Sequence, residues 1–461
     1  MSRWDAVWRW GTPSRRSGVA CGLAVGLATG AGRWWVRAGA APLFWNDSAD
    51  YVAAAHLPLW SADRLVGTRP ILMPLVLSLA SEDLSRLTLV HVVVASACWG
   101  LLAAIVAVSV RSWAARVVGS VGVLALSSVW VVSMWDQQVL TESLALSGLA
   151  ACVAAALWFA NRPSARRAAV LVLACATWLI SRDSHAIPVA LGGLVLVAVA
   201  WRLPGGRRRL LAVTGAYLLA LSFLVVASAS AGERNLVPLE HVYAARVLPF
   251  PDRVAWFEEH GMPLASELEA IPEARDPVKD LAPFTPVSPD ARWAPWRRWL
   301  REDGQATLLR YWATHPTYLL SEPQRRPERV FNNGDGLPTY EPLERRPIPG
   351  VDALADVSTG AVVFVAAAAM LGILVIEEER RRLVIVGAFT LVSAFPHALA
   401  VWHLDGMESA RHLLIPALQA RIATLLLLVA LVDGLLSVRG TDRSPLARWR
   451  GRPRAPGPRR A

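Results

Sequence analysis

Long runs of apolar residues recur along this chain, and they limit its fold more than any other feature. Three examples are Val170–Ile180, Ala190–Val199 and Leu425–Val432. Apolar residues make up 54% of the 461 residues and charged residues 18%, against ~45–50% and ~25% in soluble domains. Such runs exclude intrinsic disorder, a collagenous repeat and a disulfide-stapled secreted domain. We therefore predict an all-α integral membrane protein.

Ten segments have the apolar character and approximate length of a membrane span, which needs about 20 residues. The first is the weakest, because Arg33 and Arg37 interrupt its end. It also resembles a signal peptide with a small-residue cleavage region at Ala38–Ala41, but the charges separate that region from the apolar core, so we expect an uncleaved helix. The predicted spans are 18–36, 88–110, 114–134, 139–160, 167–181, 185–201, 209–231, 357–376, 383–402 and 413–437.

The net charge of +11 comes from arginines that lie in short clusters between the apolar runs. We attribute this charge to membrane topology rather than to nucleic-acid binding, because every second connection is rich in arginine. The pattern predicts a multi-pass protein of the cell membrane with both termini in the cytoplasm. The polar connections that alternate with the basic ones, and any active site that they form, are then extracytoplasmic.

Two predicted external segments, 37–87 and 232–356, are too long to be simple connections. The second holds 20 acidic and 15 basic residues and several tryptophans. Because these aromatic side chains give it a core to bury, we predict a small folded module. The predicted organisation is a cytoplasmic N-terminus 1–17, a core 18–231 of about seven spans, the module 232–356, three spans in 357–437 and a basic cytoplasmic tail 438–461.

Carboxylates concentrate in the predicted external connections. Asp47 and Asp50 are three residues apart and would share one face of a helical turn. One could act as a general base while the other orients the substrate or holds an ion; the alternative is a solvated loop with helix caps. Tyr51 and Asp136 are expected to orient a substrate. Glu142 opens an apolar helix, either as a catalytic or orienting acid or as a favourable charge at the helix N-terminus.

Cations lie beside these acids. Arg182 and His185 occupy a predicted turn between two spans and suggest a phosphate-binding arginine with a histidine donor. The alternative is a local ion pair of Arg182 with Asp183.

A second group of cations begins the last predicted span. Glu408, Arg411 and His412 have the i, i+3, i+4 spacing of one helix face. Arg411 can hold two phosphate oxygens with its planar fork, and His412 is expected to bind the donor phosphate beside it. The alternative is a pair of Arg411 with Glu408, which is otherwise expected to orient a substrate. Arg421 lies inside an apolar run, where a charge is costly unless it faces a cavity or a partner; the alternative is snorkelling.

The four cysteines all fall in apolar segments, and no glycine-rich phosphate loop lies outside the membrane. We therefore expect no metal centre and no required cofactor, and leave a divalent cation open.

Three short motifs, in their order along the chain, resemble the GT-C superfamily of membrane glycosyltransferases. This superfamily includes the protein O-mannosyltransferase-like and lipid A aminosugar-transferase-like enzymes. The motifs are Asn46–Tyr51 after the first span, Thr141–Leu144 at the start of the fourth and Glu408–Pro416 at the start of the last. The resemblance implies a GT-C-like bundle of about ten helices with a long external loop module.

The resemblance also implies a reaction. One sugar would move from a polyprenyl-phosphate donor to an acceptor hydroxyl outside the cytoplasm, with inversion at the anomeric carbon. Asp47 corresponds to the catalytic base of the first external loop, and its acidic partner is left open between Asp50, Asp136 and Glu142. The cations expected to neutralise the leaving phosphate are Arg182, Arg411 and Arg421.

Three other functions fit part of this pattern. A lipid-linked glycan transporter or flippase would also have many spans and an intramembrane arginine, although it more often shows an internal repeat. A glycan ligase would use arginines with a histidine as base, and Asp47 would be dispensable. A non-catalytic sensor would tolerate changes at all the external acids.

Overall fold

A computed structural model describes residues 15–37, 41–45, 47–80, 84–263, 294–324, 350–351, 357, 359–373, 381–405 and 409–438. Within these residues the regular structure is helical, apart from an isolated β-bridge between Leu43 and Gln138. Short 3-10 turns cover Met134–Gln137 and Asp183–His185, and a π turn covers Leu300–Gly304. The helices are α1 Arg15–Arg37, α2 Ser48–Ala55, α3 Ala62–Leu65, α4 Leu72–Leu79, α5 Leu84–Ser109, α6 Trp113–Ser128, α7 Trp130–Ser133, α8 Glu142–Asn161, α9 Ala165–Leu179, α10 Ala186–Trp201, α11 Gly205–Ala231, α12 Leu236–Arg246, α13 Pro251–Glu259, α14 Ala294–Trp299, α15 Gln305–Thr314, α16 Pro316–Gln324, α17 Thr359–Ile373, α18 Arg381–Leu404 and α19 Ser409–Val438.

Six of the described helices are long and apolar enough to cross a membrane, and the bent pair α6 and α7 would make a seventh. The six are α5, α8, α10 with its preceding turn, α11, α18 and α19. This confirms the prediction of a helical membrane protein. The count of ten spans stays a prediction, because α1, α9 and α17 do not meet the same criterion.

Helix α1 packs along α5 through small residues. A Cβ atom on Gly22 would lie 2.8 Å from the carbonyl oxygen of Gly100, and a Cβ on Gly100 would lie 2.8 Å from that of Gly22. Only glycine at both positions allows this approach of the two backbones. Close contact through small residues is a common way for helices to associate in a bilayer, where apolar surface alone gives little driving force.

The α6–α7 pair bends by 62° and is held by an ion pair from α1. Arg33 Nη1 donates to both carboxylate oxygens of Asp136 at 2.8 Å, and its Nη2 donates to the carbonyl of Ser127 at 2.7 Å. Ser143 donates to the same carboxylate at 2.6 Å, and His91 Nδ1 contacts the Asp136 carbonyl at 3.0 Å. The arginine thus satisfies a carbonyl that the bend would leave without a helical partner.

The two ends of the helical bundle carry different chemistry. At one end, tight turns connect α5 to α6, α8 to α9 and α10 to α11. There Asp433, near the end of α19, accepts from the backbone N–H groups of Arg111 and Ser112 at 2.9 and 2.6 Å. Arg411 lies near the other end of the same helix, about 33 Å away at 1.5 Å per residue. Helix α19 therefore has one anchored polar group at each end.

Helices α12 to α16 pack around an aromatic core. Tyr243 lies at its centre, makes edge contacts with the neighbouring rings and donates from its hydroxyl to the Gly304 carbonyl at 2.7 Å. The buried aromatic residues are Tyr243, Phe257, Trp296, Trp299, Tyr311 and Tyr318. We call α12 to α16 the external module, after the location that the sequence predicts for this segment. Residues 264–293, 325–349 and 352–356 of the predicted module lie outside the described residues.

Candidate functional site

The loop that carries Asp47 is fixed against the start of α8. The Leu43 N–H donates to the Gln137 carbonyl at 2.9 Å, and the Val139 N–H donates to the Leu43 carbonyl at 3.0 Å. Ser48 Oγ also donates to the Val139 carbonyl at 3.0 Å. These backbone contacts bring two acidic segments that are far apart in sequence to one end of the bundle.

Arg411 joins two carboxylates from these segments. Its Nε donates to Glu142 Oε1 at 2.5 Å, and its Nη1 donates to Asp47 Oδ2 at 3.2 Å. Arg182 approaches the same Glu142 oxygen with Nη1 at 3.4 Å. The fork of Arg411 therefore holds two different acids, instead of one acid with both nitrogens.

Arg69 completes the group on the solvent side. Its Nη2 lies 2.8 Å from Asp47 Oδ1 and 2.8 Å from Asp50 Oδ2, and its Cζ lies 5.6 Å from the ring centre of Tyr51. Sequence reasoning missed Arg69, which is a single arginine in the predicted external segment 37–87. We call the six charged residues the acid–arginine network; they are Asp47, Asp50, Arg69, Glu142, Arg182 and Arg411.

The network runs from the protein interior to solvent. The exposed side-chain fraction is 1% for Glu142, 24% for Asp47 and 52% for Asp50. Asp47 is therefore the acid that is both partly accessible and held by two guanidinium groups. This position makes it the carboxylate that a ligand from outside could reach while the network stays assembled.

Charge neighbours set the protonation of Asp47. Burial alone would raise the pKa of its carboxyl, but Arg69 and Arg411 outweigh burial and hold the pKa below its usual value. Burial, with the nearby Glu142, raises the pKa of Tyr51. At neutral pH Asp47 is thus a carboxylate that can accept a proton, whereas the Tyr51 hydroxyl keeps its own.

Asp136 belongs to a different group of residues. Its carboxylate is taken up by Arg33 and Ser143, and the Arg33 and Asp136 side chains are 2% and 0% exposed. Its described contacts support the bend between α6 and α7. Of the three predicted acidic partners of Asp47, the network contains Asp50 and Glu142.

His185 is buried in the bundle, and its described hydrogen-bond and ring contacts are with residues outside the network. Its ring stacks on Trp178 at 4.2 Å between centres, and Nδ1 contacts the Trp178 carbonyl at 2.8 Å. Because a carbonyl only accepts, Nδ1 carries the hydrogen and Nε2 of the neutral ring presents a lone pair. Donation from Nε2 to a phosphate, as the sequence suggested, would need a protonated ring.

The local pair that the sequence allowed between Arg182 and Asp183 is absent from the described contacts. Arg182 approaches Glu142 instead. Asp183 takes two hydrogen bonds of 3.0 Å from Arg234, which follows α11. Neighbours in sequence therefore serve different contacts.

The last group of predicted cations divides in the same way. Arg411 is in the network, and Nδ1 of His412 contacts the Asp405 carboxylate. Arg421 donates to the carbonyls of Ala417 and Val357 at 3.3 and 3.2 Å. It follows Arg411 by ten residues on one helix, or about 15 Å, so it is far from the network. Glu408 lies outside the described residues.

Metal ligands are not grouped in the part of the chain that the structure describes. No set of three or more His, Cys, Asp or Glu side chains there could hold a metal ion. The cysteines Cys21, Cys98, Cys152 and Cys175 have free thiols. The expectation of no required cofactor, with a divalent cation left open, stays a prediction.

Comparison with known proteins adds no relative. No protein-family model matches the chain, and no curated protein or solved structure matches it either. Function therefore has to be inferred from the chemistry of the acid–arginine network.

Proposed function

We propose that this protein is an integral membrane glycosyltransferase. It transfers a sugar from a polyprenyl-phosphate donor to an acceptor hydroxyl on the extracytoplasmic side of the membrane. One observation carries the proposal: the partly exposed Asp47 carboxylate lies between the guanidinium groups of Arg69 and Arg411. These two arginines follow Asp47 by 22 and 364 positions in the sequence. This arrangement combines a proton acceptor with cations that can bind a phosphate.

Asp47 is the general base in the proposed reaction. An acceptor hydroxyl attacks the anomeric carbon and gives its proton to the Asp47 carboxylate as the new C–O bond forms. The bond between the anomeric carbon and the phosphate oxygen breaks, and its electron pair leaves with the lipid phosphate. A carboxylate of low pKa is a weak base, which suits a transition state in which the leaving group departs early and the acceptor proton becomes acidic.

The arginines stabilise the leaving phosphate. Arg411 and Arg182 both contact Glu142, and Arg411 also contacts Asp47. Without a donor, carboxylate oxygens therefore occupy positions around the guanidinium groups that phosphate oxygens can take. A donor phosphate would exchange for part of these contacts and meet cations already oriented at the bond that breaks.

The lipid character of the donor follows from the location of the network. It lies at the ends of helices α8 and α19, which are long and apolar enough to span a bilayer. The loop of Asp47 also carries highly exposed apolar side chains, with Trp60 90% exposed and Leu79 82% exposed. These residues are suited to the bilayer interface, where a polyprenyl phosphate presents its head group.

The test is sugar transfer by the purified protein in lipid nanodiscs. Radiolabelled sugars on polyprenyl phosphate are offered with a mixture of cell-envelope acceptors, to wild type, Asp47→Asn and Asp63→Asn. Asp63 is an exposed acid of the same loop, in the first turn of α3. We expect Asp47→Asn to lower transfer by about 10³-fold, with binding of polyprenyl phosphate retained and Asp63→Asn active.

Two results would contradict the proposal. Full transfer by Asp47→Asn would remove Asp47 from its role as base. The second result is an absence of sugar transfer together with movement of polyprenyl phosphate between the two leaflets of vesicles that contain the protein and have the lipid composition of the nanodiscs. The protein would then be a flippase, and the alternative of lipid-linked glycan transport would hold.

A further inference from the structure

The external module is attached to the end of α18 by a buried arginine. The Cζ atom of Arg246, the last residue of α12, lies 4.1 Å from the ring centre of Trp402. Its Nη2 donates to the carbonyl oxygen of Asp405 at 3.2 Å. Arg246 is only 6% exposed, so stacking and hydrogen bonding occur in a site with little water.

The same arginine is held from the module side. Its carbonyl accepts from Arg253 Nη1 at 2.5 Å, and Arg253 Nη2 pairs with Glu322 at 2.7 Å. A second attachment runs parallel to the first, because His403 Nε2 contacts the Leu319 carbonyl at 2.9 Å. The module therefore grips the last residues of α18 at two points.

Asp405 also contacts α19, so it connects the module with this helix. Its carboxylate contacts Nδ1 of His412, the fourth residue of α19. The preceding residue is Arg411, whose guanidinium contacts Asp47 and Glu142. A continuous set of contacts thus connects Arg246 in the module with Arg411 in the network, although Arg246 itself touches neither acid in the described contacts.

We propose that Arg246 and Asp405 are positioning residues for Arg411, through which the external module sets the affinity of the site for the donor phosphate. This inference rests on the proposed function, since it assigns Arg411 to the phosphate. Loss of the attachment leaves Asp47 in place but allows the first turns of α19 to move. The expected consequence is weaker donor binding with a nearly unchanged chemical step.

The first experiment separates donor KM from kcat. Arg246→Met keeps an unbranched apolar side chain at this position. It removes the guanidinium group that stacks on Trp402 and donates to the carbonyl oxygen of Asp405. We expect donor KM to rise by about tenfold and kcat to change less than twofold. Arg246→Lys keeps the positive charge but lacks the planar guanidinium group, so its donor KM should lie between those of wild type and Arg246→Met. The matched control is Arg301→Met, which removes an exposed arginine of the module that pairs with Glu233.

A double-variant comparison tests whether the two residues act in one connection. Asp405→Ala should raise donor KM by a similar factor. The combination with Arg246→Met should then add little, because each change alone breaks one of the successive contacts that join the module to α19. Additive effects, or a fall in kcat with donor KM unchanged, would overturn the proposal.

Hydrogen exchange gives a readout that does not need transfer activity. The exchangeable backbone amides of residues 413–415, 417 and 418 lie in the second and third turns of α19, where Pro416 has none. We expect these amides to exchange about tenfold faster in Arg246→Met than in wild type or Arg301→Met. Unchanged exchange in both Arg246→Met and Asp405→Ala would overturn the positioning role. If wild type transfers no sugar from any donor, the proposed function fails, while the exchange comparison still decides whether the module holds α19.

Discussion

Two of the acid–arginine groups among the described residues differ in how completely their charges are enclosed. Arg33 and Asp136 form a sealed pair in which one guanidinium faces one carboxylate, with 2% and 0% of the side chains exposed. In the acid–arginine network, Arg411 and Arg69 are each shared between two carboxylates, and Asp47 stays 24% exposed. The residue types are the same, but the connections and the access of solvent are not.

The difference indicates what each group can do. A sealed one-to-one pair has no place for a third charged group, and its contacts with Ser127 and Ser143 support the bent α6–α7 segment. A shared pair can exchange one carboxylate for an incoming anion without leaving an arginine alone. Enclosure therefore marks the first group as structural, and sharing marks the second as a candidate for binding.

The largest effect expected from breaking this comparison is on stability. Asp136→Asn leaves the Arg33 charge buried without its counter-charge, which costs about 3 kcal/mol or more. We expect a strongly lowered Tm or failure to accumulate, measured by fluorescence-detected thermal unfolding in detergent. Asp47→Asn is the comparison and should keep most of the wild-type Tm. Equal losses of Tm in the two variants would show that the groups do not differ in the way proposed.

The next effect is on transfer rather than on stability. Arg411→Lys keeps a positive charge but cannot contact Glu142 and Asp47 through two nitrogens of one plane. Transfer should fall about 10²-fold while the Tm changes little, as measured by the donor assay and thermal unfolding on one preparation. Arg301→Lys, at an exposed pair, provides the control. Wild-type transfer by Arg411→Lys would argue against phosphate binding at this arginine.

A pH series compares Asp47 with a carboxyl whose pKa is set mainly by burial, which outweighs the lowering effect of Arg297. Glu240 in α12 is 2% exposed, its two oxygens accept no hydrogen bond from the described residues, and burial raises its pKa to about 8. A raised pKa favours the folded state at low pH, so this contribution is complete below the unfolded pKa of about 4.5 and is lost as pH rises through about 8.

The Tm should therefore decrease by ~2 °C or more between about pH 5 and pH 9. Glu240→Gln should abolish this decrease. For Asp47 the sign is opposite. Its pKa is lowered, so its carboxylate form persists at pH values below the ordinary aspartate range, and transfer should decline only as pH falls through that lowered pKa. Measurement of Tm and transfer across one buffer series checks both, and a Tm slope retained in Glu240→Gln would exclude this residue as its cause.

The smallest expected effect is at the solvent end of the network. Asp50 is 52% exposed and shares Arg69 with Asp47, and exposed ion pairs contribute about 0–1 kcal/mol. Asp50→Asn should change transfer by about twofold or less and leave the Tm unchanged. A loss as large as that of Asp47→Asn would instead make Asp50 an essential acid of the site.

The apolar runs predicted the helices well, because burial in lipid requires a length and hydropathy that local sequence records. Helices α5, α8, α11 and α19 begin and end close to predicted spans. The 62° bend after α6 was not predictable in this way. It depends on Arg33 reaching Ser127 and Asp136 from another helix, and hydropathy counts that arginine only as an interruption.

The site was predictable in its members more than in its pairing. Asp47, Glu142, Arg182 and Arg411 all stood out as polar residues beside apolar runs, but their partners lie up to 364 positions away. Local spacing suggested Arg182 with Asp183, whereas the fold pairs Arg182 with Glu142 and Asp183 with Arg234. Arg69 had no local signal, because a single arginine in a loop is common and gains meaning only from the two acids that it meets.

Contacts at both ends of helix α19 fix its rotation about its own axis and its position along that axis. Asp433 locks one end to the α5–α6 turn, and Arg411 locks the other to Asp47 and Glu142. Insertion of a single residue between Arg411 and Asp433 would rotate the contacts at one end by about 100° relative to those at the other and lengthen the helix by about 1.5 Å. The register of α19 against the bundle is therefore set by contacts at both of its ends.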